Sequence, residues 1–200
     1  MRFDLERVLA SACMLFASTA FAQPSALVIK PLAEKKVSEL PAGPLFWRVE
    51  NFATVAQAQA AADATGLVAE AGGKVWLFAL GPAGTASSGG TKVADIGPLP
   101  PVIATQYLLR INETTGAPGS VTPVHTHPGS EAFLVLAGEK SQRTPQGLTK
   151  AGVGQAVPGH GADTPMQVSS SGSTDLHMLV MFVVDAAKPF SSPASLSQAQ

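Results

Sequence analysis

At 200 residues the chain has room for one domain, or at most a small pair, and enough length to bury a sizeable core. Its 13 Lys and Arg against 14 Asp and Glu leave a net charge of −1, with no basic excess to neutralise phosphates, so no nucleic-acid partner is expected. An apolar share of 46% argues against disorder. The 19 Gly and 16 Pro interrupt the chain too often for a helical bundle and favour short strands and turns.

Residues 1–22 read as an export signal. Arg2 and Arg7 lie in the charged start, although Asp4 and Glu6 dilute it; Val8 to Phe16 is almost wholly apolar, and Ala20-Phe21-Ala22 presents small residues where a signal peptidase cuts. Cleavage after Ala22 would place the protein in the periplasm or outside the cell. It would also remove Cys13, the single cysteine, so the mature chain would form no disulfide. The apolar run is broken by Ser18 and Thr19 and is shorter than the ~20 residues of a bilayer span, so no stable membrane anchor is expected after cleavage.

Residues 23–80 are expected to form an N-terminal extension. Pro41, Pro44 and the pair Phe46-Trp47 suggest a segment lying across a surface, its rings tucked under a following helix. The run NFATVAQAQAAADAT, Asn51 to Thr65, is rich in Ala and Gln and places Phe52, Val55 and Ala56 at helical spacing. It stops at Gly66, a favoured C-terminal cap, which predicts one helix over about 52–65.

Beyond Gly66 the signals turn to strands. Leu67–Glu70, Lys74–Leu80, Thr91–Ile96, Ala104–Asn112, Val121–His127, Glu131–Ala137, Gln155–Pro158, Met166–Ser169 and Leu176–Val184 are short β-prone runs bounded by turn residues. They predict an all-β sandwich or barrel over residues 81–185, with 186–200 as a C-terminal tail. In Leu176–Val184 both parities are apolar. A strand buried on both faces needs a second cover, either the N-terminal helix or another subunit, and a homodimer is therefore expected.

The chemistry is concentrated between Gly119 and Gly138. Period two along an extended strand puts His125 and His127 on one face, about 7 Å apart along the strand. Pro128 and Gly129 are expected to turn the chain, so that Glu131 begins a return strand opposite them. Two imidazole nitrogens and one carboxylate presented from one side form a face that leaves open positions on Fe, Mn, Ni or Zn.

This stretch resembles the first motif of the cupin superfamily: glycine, five residues, His-x-His, three or four residues, Glu, six residues, glycine. Gly119, His125, His127, Glu131 and Gly138 fall at those spacings without a gap. The resemblance implies a cupin jelly-roll β-barrel, here carrying an N-terminal extension with one helix, and a mononuclear divalent metal at His125, His127 and Glu131. In the second motif of that family a histidine supplies a fourth ligand, and here the chain departs from it. A gap-free alignment from Gly152 and Pro158 puts Asp163 at the ligand. A three-residue insertion instead aligns Asp163-Thr164-Pro165-Met166 with the usual Gly-Thr-Pro-His and puts Met166 there; this register restores a turn followed by a strand and is preferred.

A thioether is a poor donor to hard divalent ions, so the site is either three-coordinate from protein or completed by His160 from the inserted loop. His177 is expected beside the site, as a neighbour that orients a ligand or as a packed core residue. Gln106 and Tyr107, on the strand entering the motif, are expected to line the pocket beside Met166. Arg110 on the same strand reads as an exposed edge charge. Thr144-Pro145-Gln146-Gly147 predicts a hairpin between the two motifs. Two classes of function remain. One is an exported metalloenzyme acting on a small organic molecule, of dioxygenase, isomerase or lyase type; the other is a non-catalytic cupin that binds a metal or ligand in the cell envelope.

Overall fold

The structure is a computed structural model that describes residues 25–196; the expected signal, residues 1–22, lies outside the described residues. The described residues are all-β with one short helix. In chain order the elements are β1 (Val28–Val37), β2 (Phe46–Phe52), α1 (Val55–Ala61), β3 (Leu67–Ala71), β4 (Lys74–Gly81), β5 (Thr91–Ile96), β6 (Tyr107–Gly116), β7 (His125–Thr126), β8 (Gly129–Ala137), β9 (Glu139–Thr144), β10 (Gly147–Gly152), β11 (Ala156–Pro158), β12 (Gln167–Ser170), β13 (Leu176–Asp185) and β14 (Ser192–Pro193).

A five-stranded sheet, ordered β1-β6-β13-β8-β11, faces a three-stranded sheet, β10-β9-β12, and the short pair β14-β7 completes the sandwich. Phe133, Val135, Val168, Met178, Val180 and Phe182 fill the space between them. A further four-stranded sheet, β3-β4-β2-β5, covers the outer face of the five-stranded one. There Trp47, Val49, Trp76 and Phe78 pack on Leu109, Ile111, Leu134, Leu179, Met181 and Val183. Helix α1 lies on the far side of this outer sheet, with Ala58 against Phe52 and Leu77.

The alternation along β13 explains the layering. Met178, Val180 and Phe182 point into the barrel, whereas Leu179, Met181 and Val183 meet the outer sheet. The expected second cover exists, but it is neither the helix nor another subunit. A sheet of the same chain supplies it, so the burial of β13 asks for no partner.

The predicted helix over 52–65 shrinks to Val55–Ala61. Phe52 closes β2 instead, because its backbone pairs with Val75 of β4 and the residues before it pair with both β4 and β5. Thr54 caps the helix, its hydroxyl oxygen accepting from the Gln57 amide at 3.2 Å. At the other end the Asp63 carboxylate accepts from the Thr65 amide at 2.9 Å, a local turn that competes with further helix before Gly66. Phe46-Trp47 does not cross a surface under the helix. It starts β2, a strand internal to its sheet, and Trp47 is wholly buried toward the barrel.

Sheet membership also crosses the expected boundary at residue 80. β1, from the extension, pairs with β6 at the edge of the barrel sheet, while β5 joins the outer sheet beside β2. β1 was hidden in the sequence by Pro31 and by Lys30, Lys35 and Lys36. Proline at a register shift and lysines along an exposed strand are features of a sheet edge.

Candidate functional site

Period two sets what each strand contributes to the interior. β6 turns Arg110, Asn112 and Thr114 inward, β8 turns Glu131 and Phe133, and all of them line one cavity of about 570 Å³ between the sheets. β9 buries Lys140 and Gln142 on the same face. Gly119 and Gly138, the outer glycines of the His-x-His motif, have φ of +84° and +72°, where side chains other than glycine's are strained. They carry the chain through the turns at the two ends of the motif.

The expected hairpin between the histidines and Glu131 does not form. β7 pairs with β14, and His125 bridges to Met166, its amide donating to the Met166 carbonyl at 3.0 Å. β8 pairs with β13 and β11. Pro128 therefore passes the chain from one sheet to the other, so the histidines and the carboxylate belong to different sheets. The run Val121–His127 keeps only two strand residues, since Pro123 has no amide to give a ladder.

His125 and His127 lie edge to face with ring centroids 4.9 Å apart. Their Nδ1 atoms lie 2.9 Å from the Pro123 carbonyl and 2.6 Å from the Phe190 carbonyl. A carbonyl only accepts, so in each ring Nδ1 carries the proton and the neutral form keeps Nε2 as a lone-pair donor. Burial holds His127 neutral, lowering its pKa to about 4 against the opposing Phe190 hydrogen bond, with the charges of His125 and Arg110 adding to the depression.

Glu131 is occupied elsewhere. Its Oε1 accepts from Gln142 Nε2 at 2.6 Å, and Gln142 Oε1 accepts from the Lys140 ammonium at 3.2 Å. Burial pushes the Glu131 carboxyl up and the Lys140 ammonium down, while each charge favours the other. Met166 is buried, and its sulfur lies 3.2 Å from the same Gln142 nitrogen. Met166 bridges His125 across the barrel wall, whereas Asp163 occupies a turn at φ +59°, its amide donating to the His127 carbonyl at 2.8 Å.

The metal that the motif implies would draw on His125, His127 and Glu131. The histidines fit, because each has Nδ1 tied to a carbonyl and Nε2 left over. The third donor does not fit: among the described residues no three His, Cys, Asp or Glu side chains are grouped closely enough to hold an ion. His160 does not complete a set with His125, His127 and Glu131. It is half-buried in its loop, its pKa lowered by burial and then by the charge of Lys140.

No family model matches the chain, and no curated protein does. The solved structures it resembles include a cupin superfamily protein from Desulfitobacterium hafniense (17% identity, 38% of this chain and 68% of that one, TM-score 0.35). Others are a cupin-like protein from Thermotoga maritima (13% identity, 44% and 65%, TM-score 0.39) and a polyketide cyclase from Streptomyces resistomycificus (22% identity, 45% and 63%, TM-score 0.36). The aligned part thus spans about two thirds of each of these proteins. The motif that resembles the cupin superfamily keeps its two outer glycines, Gly119 and Gly138, at turns of this barrel.

Two pocket expectations fail in this barrel. Gln106 is exposed and engaged through its carbonyl by the Ala186 amide, and Tyr107 shares the parity of Leu109 and Ile111, which face the outer sheet. Arg110, on the other parity, lines the cavity instead of an exposed edge. Its guanidinium lies 4.4 Å over the Phe190 ring and donates to Asn112 Oδ1 at 3.0 Å. The apolar neighbours Leu109 and Ile111 already mark Arg110 as belonging to the other face. Phe190 gave no such signal, since it arrives from the C-terminal tail to pack on His127, Phe182 and Arg110. His177 lies outside the site, its Nε2 2.8 Å from Glu113.

Proposed function

We propose that the cavity binds a small, largely apolar organic acid, that Arg110 takes its anionic group, and that His125 and His127 face the bound molecule. The observation that carries this reading is one guanidinium within a cavity of about 570 Å³, a size suited to a small ligand, whose other walls include Leu27, Val121, Phe133, Met178 and Phe182. Glu34 reaches Arg110 only at 3.7 Å from a largely exposed position, and Asn112 is neutral, so the guanidinium keeps donors for a carboxylate. In a metal-independent lyase or isomerase such histidines would accept or return a proton at Nε2; without turnover, the same groups make a binding protein.

Calorimetry with a panel of carboxylic acids and their amides tests the reading. Acids should bind at least ~10-fold tighter than the matching amides, and Arg110→Gln should remove that preference, the size expected for one charge-assisted hydrogen bond. Equal binding of acids and amides would refute it. A divalent ion held by His125 and His127 is the second reading, favoured by their two free Nε2 atoms, and metal analysis of the purified protein decides it.

Export is part of the proposal and rests on residues 1–22. Mass spectrometry of the periplasmic or secreted protein should find Gln23 at the N-terminus. Retention of Met1 on an intact chain would overturn it.

A further inference from the structure

Against Phe133 of β8, the barrel buries a lysine that the sequence motif does not anticipate. Lys140 is 1% exposed, and its ammonium sits 3.7 Å from the centre of the Phe133 ring. Its hydrogen bond runs to Gln142, which hands its own amide to Glu131 and to the Met166 sulfur. The strand register places Lys140 and Gln142 on one face of β9, opposite Ser170 and Val168 of β12.

We propose that Lys140 supplies the positive charge that a bound metal ion would supply in a barrel of this motif, and that Glu131 is the partner of Lys140 through Gln142 instead of a third metal ligand. A buried carboxylate needs a compensating cation, and a buried ammonium needs acceptors. Here each need is answered within the chain. Phe133 adds its ring face to the ammonium, and Gln142 relays between the two charges with both ends of its amide in use. A divalent ion beside Glu131 would then meet an ammonium with only one carboxylate between three positive charges, an arrangement that like-charge repulsion disfavours. Met166 completes the change. At the position where the resembled family places an imidazole, a thioether faces Gln142 and offers a hard ion nothing. The inference concerns the wall opposite Arg110 and does not depend on whether an acid binds there.

Zn(II) and Co(II) titrations of chelator-treated protein, by calorimetry and visible absorption, test it. The wild type should bind either ion weakly or through the histidines alone, so Glu131→Gln should leave affinity within about threefold and the Co(II) spectrum unchanged. Lys140→Met combined with Met166→His frees Glu131 and adds an imidazole. Zn(II) affinity should rise at least ~100-fold and become dependent on Glu131. Stoichiometric Zn(II) in the wild type that is lost in Glu131→Gln would overturn the proposal.

The charge pairing has its own readout should the double variant fail to fold. In a double-mutant cycle of Lys140→Met and Glu131→Gln, measured by denaturant unfolding, the two changes should couple by at least ~10-fold in the folding equilibrium constant. Additive effects would show that the two groups do not serve one another, and would equally overturn it.

Discussion

His127 should titrate near pH 4, well below an ordinary imidazole at 6.5, because burial disfavours its charged form more than the Phe190 carbonyl favours it. In the unfolded chain this ring takes its proton near 6.5; in the folded protein it takes none until about 4. Protonation therefore favours unfolding, and the stability this residue contributes is full above pH 6.5 and lost as the pH falls through 6.5 to about 4. A shift of this size corresponds to about 3 kcal/mol. Glu131 works in the opposite direction. Its raised carboxyl takes up a proton in the folded state before the unfolded one does, so falling pH stabilises the protein through it.

The His127 contribution is accordingly read as a difference between proteins, not from the acid limb of the wild type. Unfolding free energies of wild type and His127→Gln, measured at steps from pH 7 to 4, should converge by about 3 kcal/mol toward the acid end. The His127 ring resonance in a proton NMR titration supplies the direct check. A midpoint near 6.5 would mean that the ring is not held as the Phe190 contact and its burial place it.

Trp47→Ala should cost about 3–5 kcal/mol, the range for removing a large aromatic side chain from a core. Trp47 is wholly buried, and it packs where the outer sheet meets the barrel, alongside Leu109, Met181 and Val183. Both tryptophans of the chain, Trp47 and Trp76, belong to the outer sheet, so their fluorescence reports that layer while circular dichroism reports all the strands. In guanidinium the two signals of the wild type should change together, because an outer sheet that leaves exposes the apolar face of β13. In Trp47→Ala the remaining Trp76 still serves as reporter, and the midpoint should move to lower denaturant. Two separate transitions in the wild type, or a loss below 1 kcal/mol in the variant, would show that the outer sheet is an appendage and not part of one core.

How much of this was legible in the residues differs from place to place. Thr91–Ile96 is a strand over the very residues its composition marks, and the turn at Thr144-Pro145-Gln146-Gly147 closes β9 on β10 as its proline and glycine demand. β13 declared from its two apolar parities that something must cover each face. What covers the outer one was not written in any local pattern. Phe46–Phe52 lost its identity as a strand to the alanine-rich run beside it, because helix propensity is local whereas the pairing of β2 with β4 and β5 is not.

The site divides along the same line. Residue types and their period put His125 and His127 on one face, but the faces of Tyr107 and Arg110 on β6 are the reverse of the pocket and edge expected for them. Only the tertiary structure decided that β7 pairs with β14 instead of β8, which sets the histidines and the carboxylate on different sheets around one cavity, and that β9 brings Lys140 and Gln142 to Glu131. A spacing fixes the face on which a side chain stands. It does not fix the strand across the barrel that this face will meet, because that choice is made by the burial of whole sheets and by chain segments as distant in sequence as Phe190 is from His127.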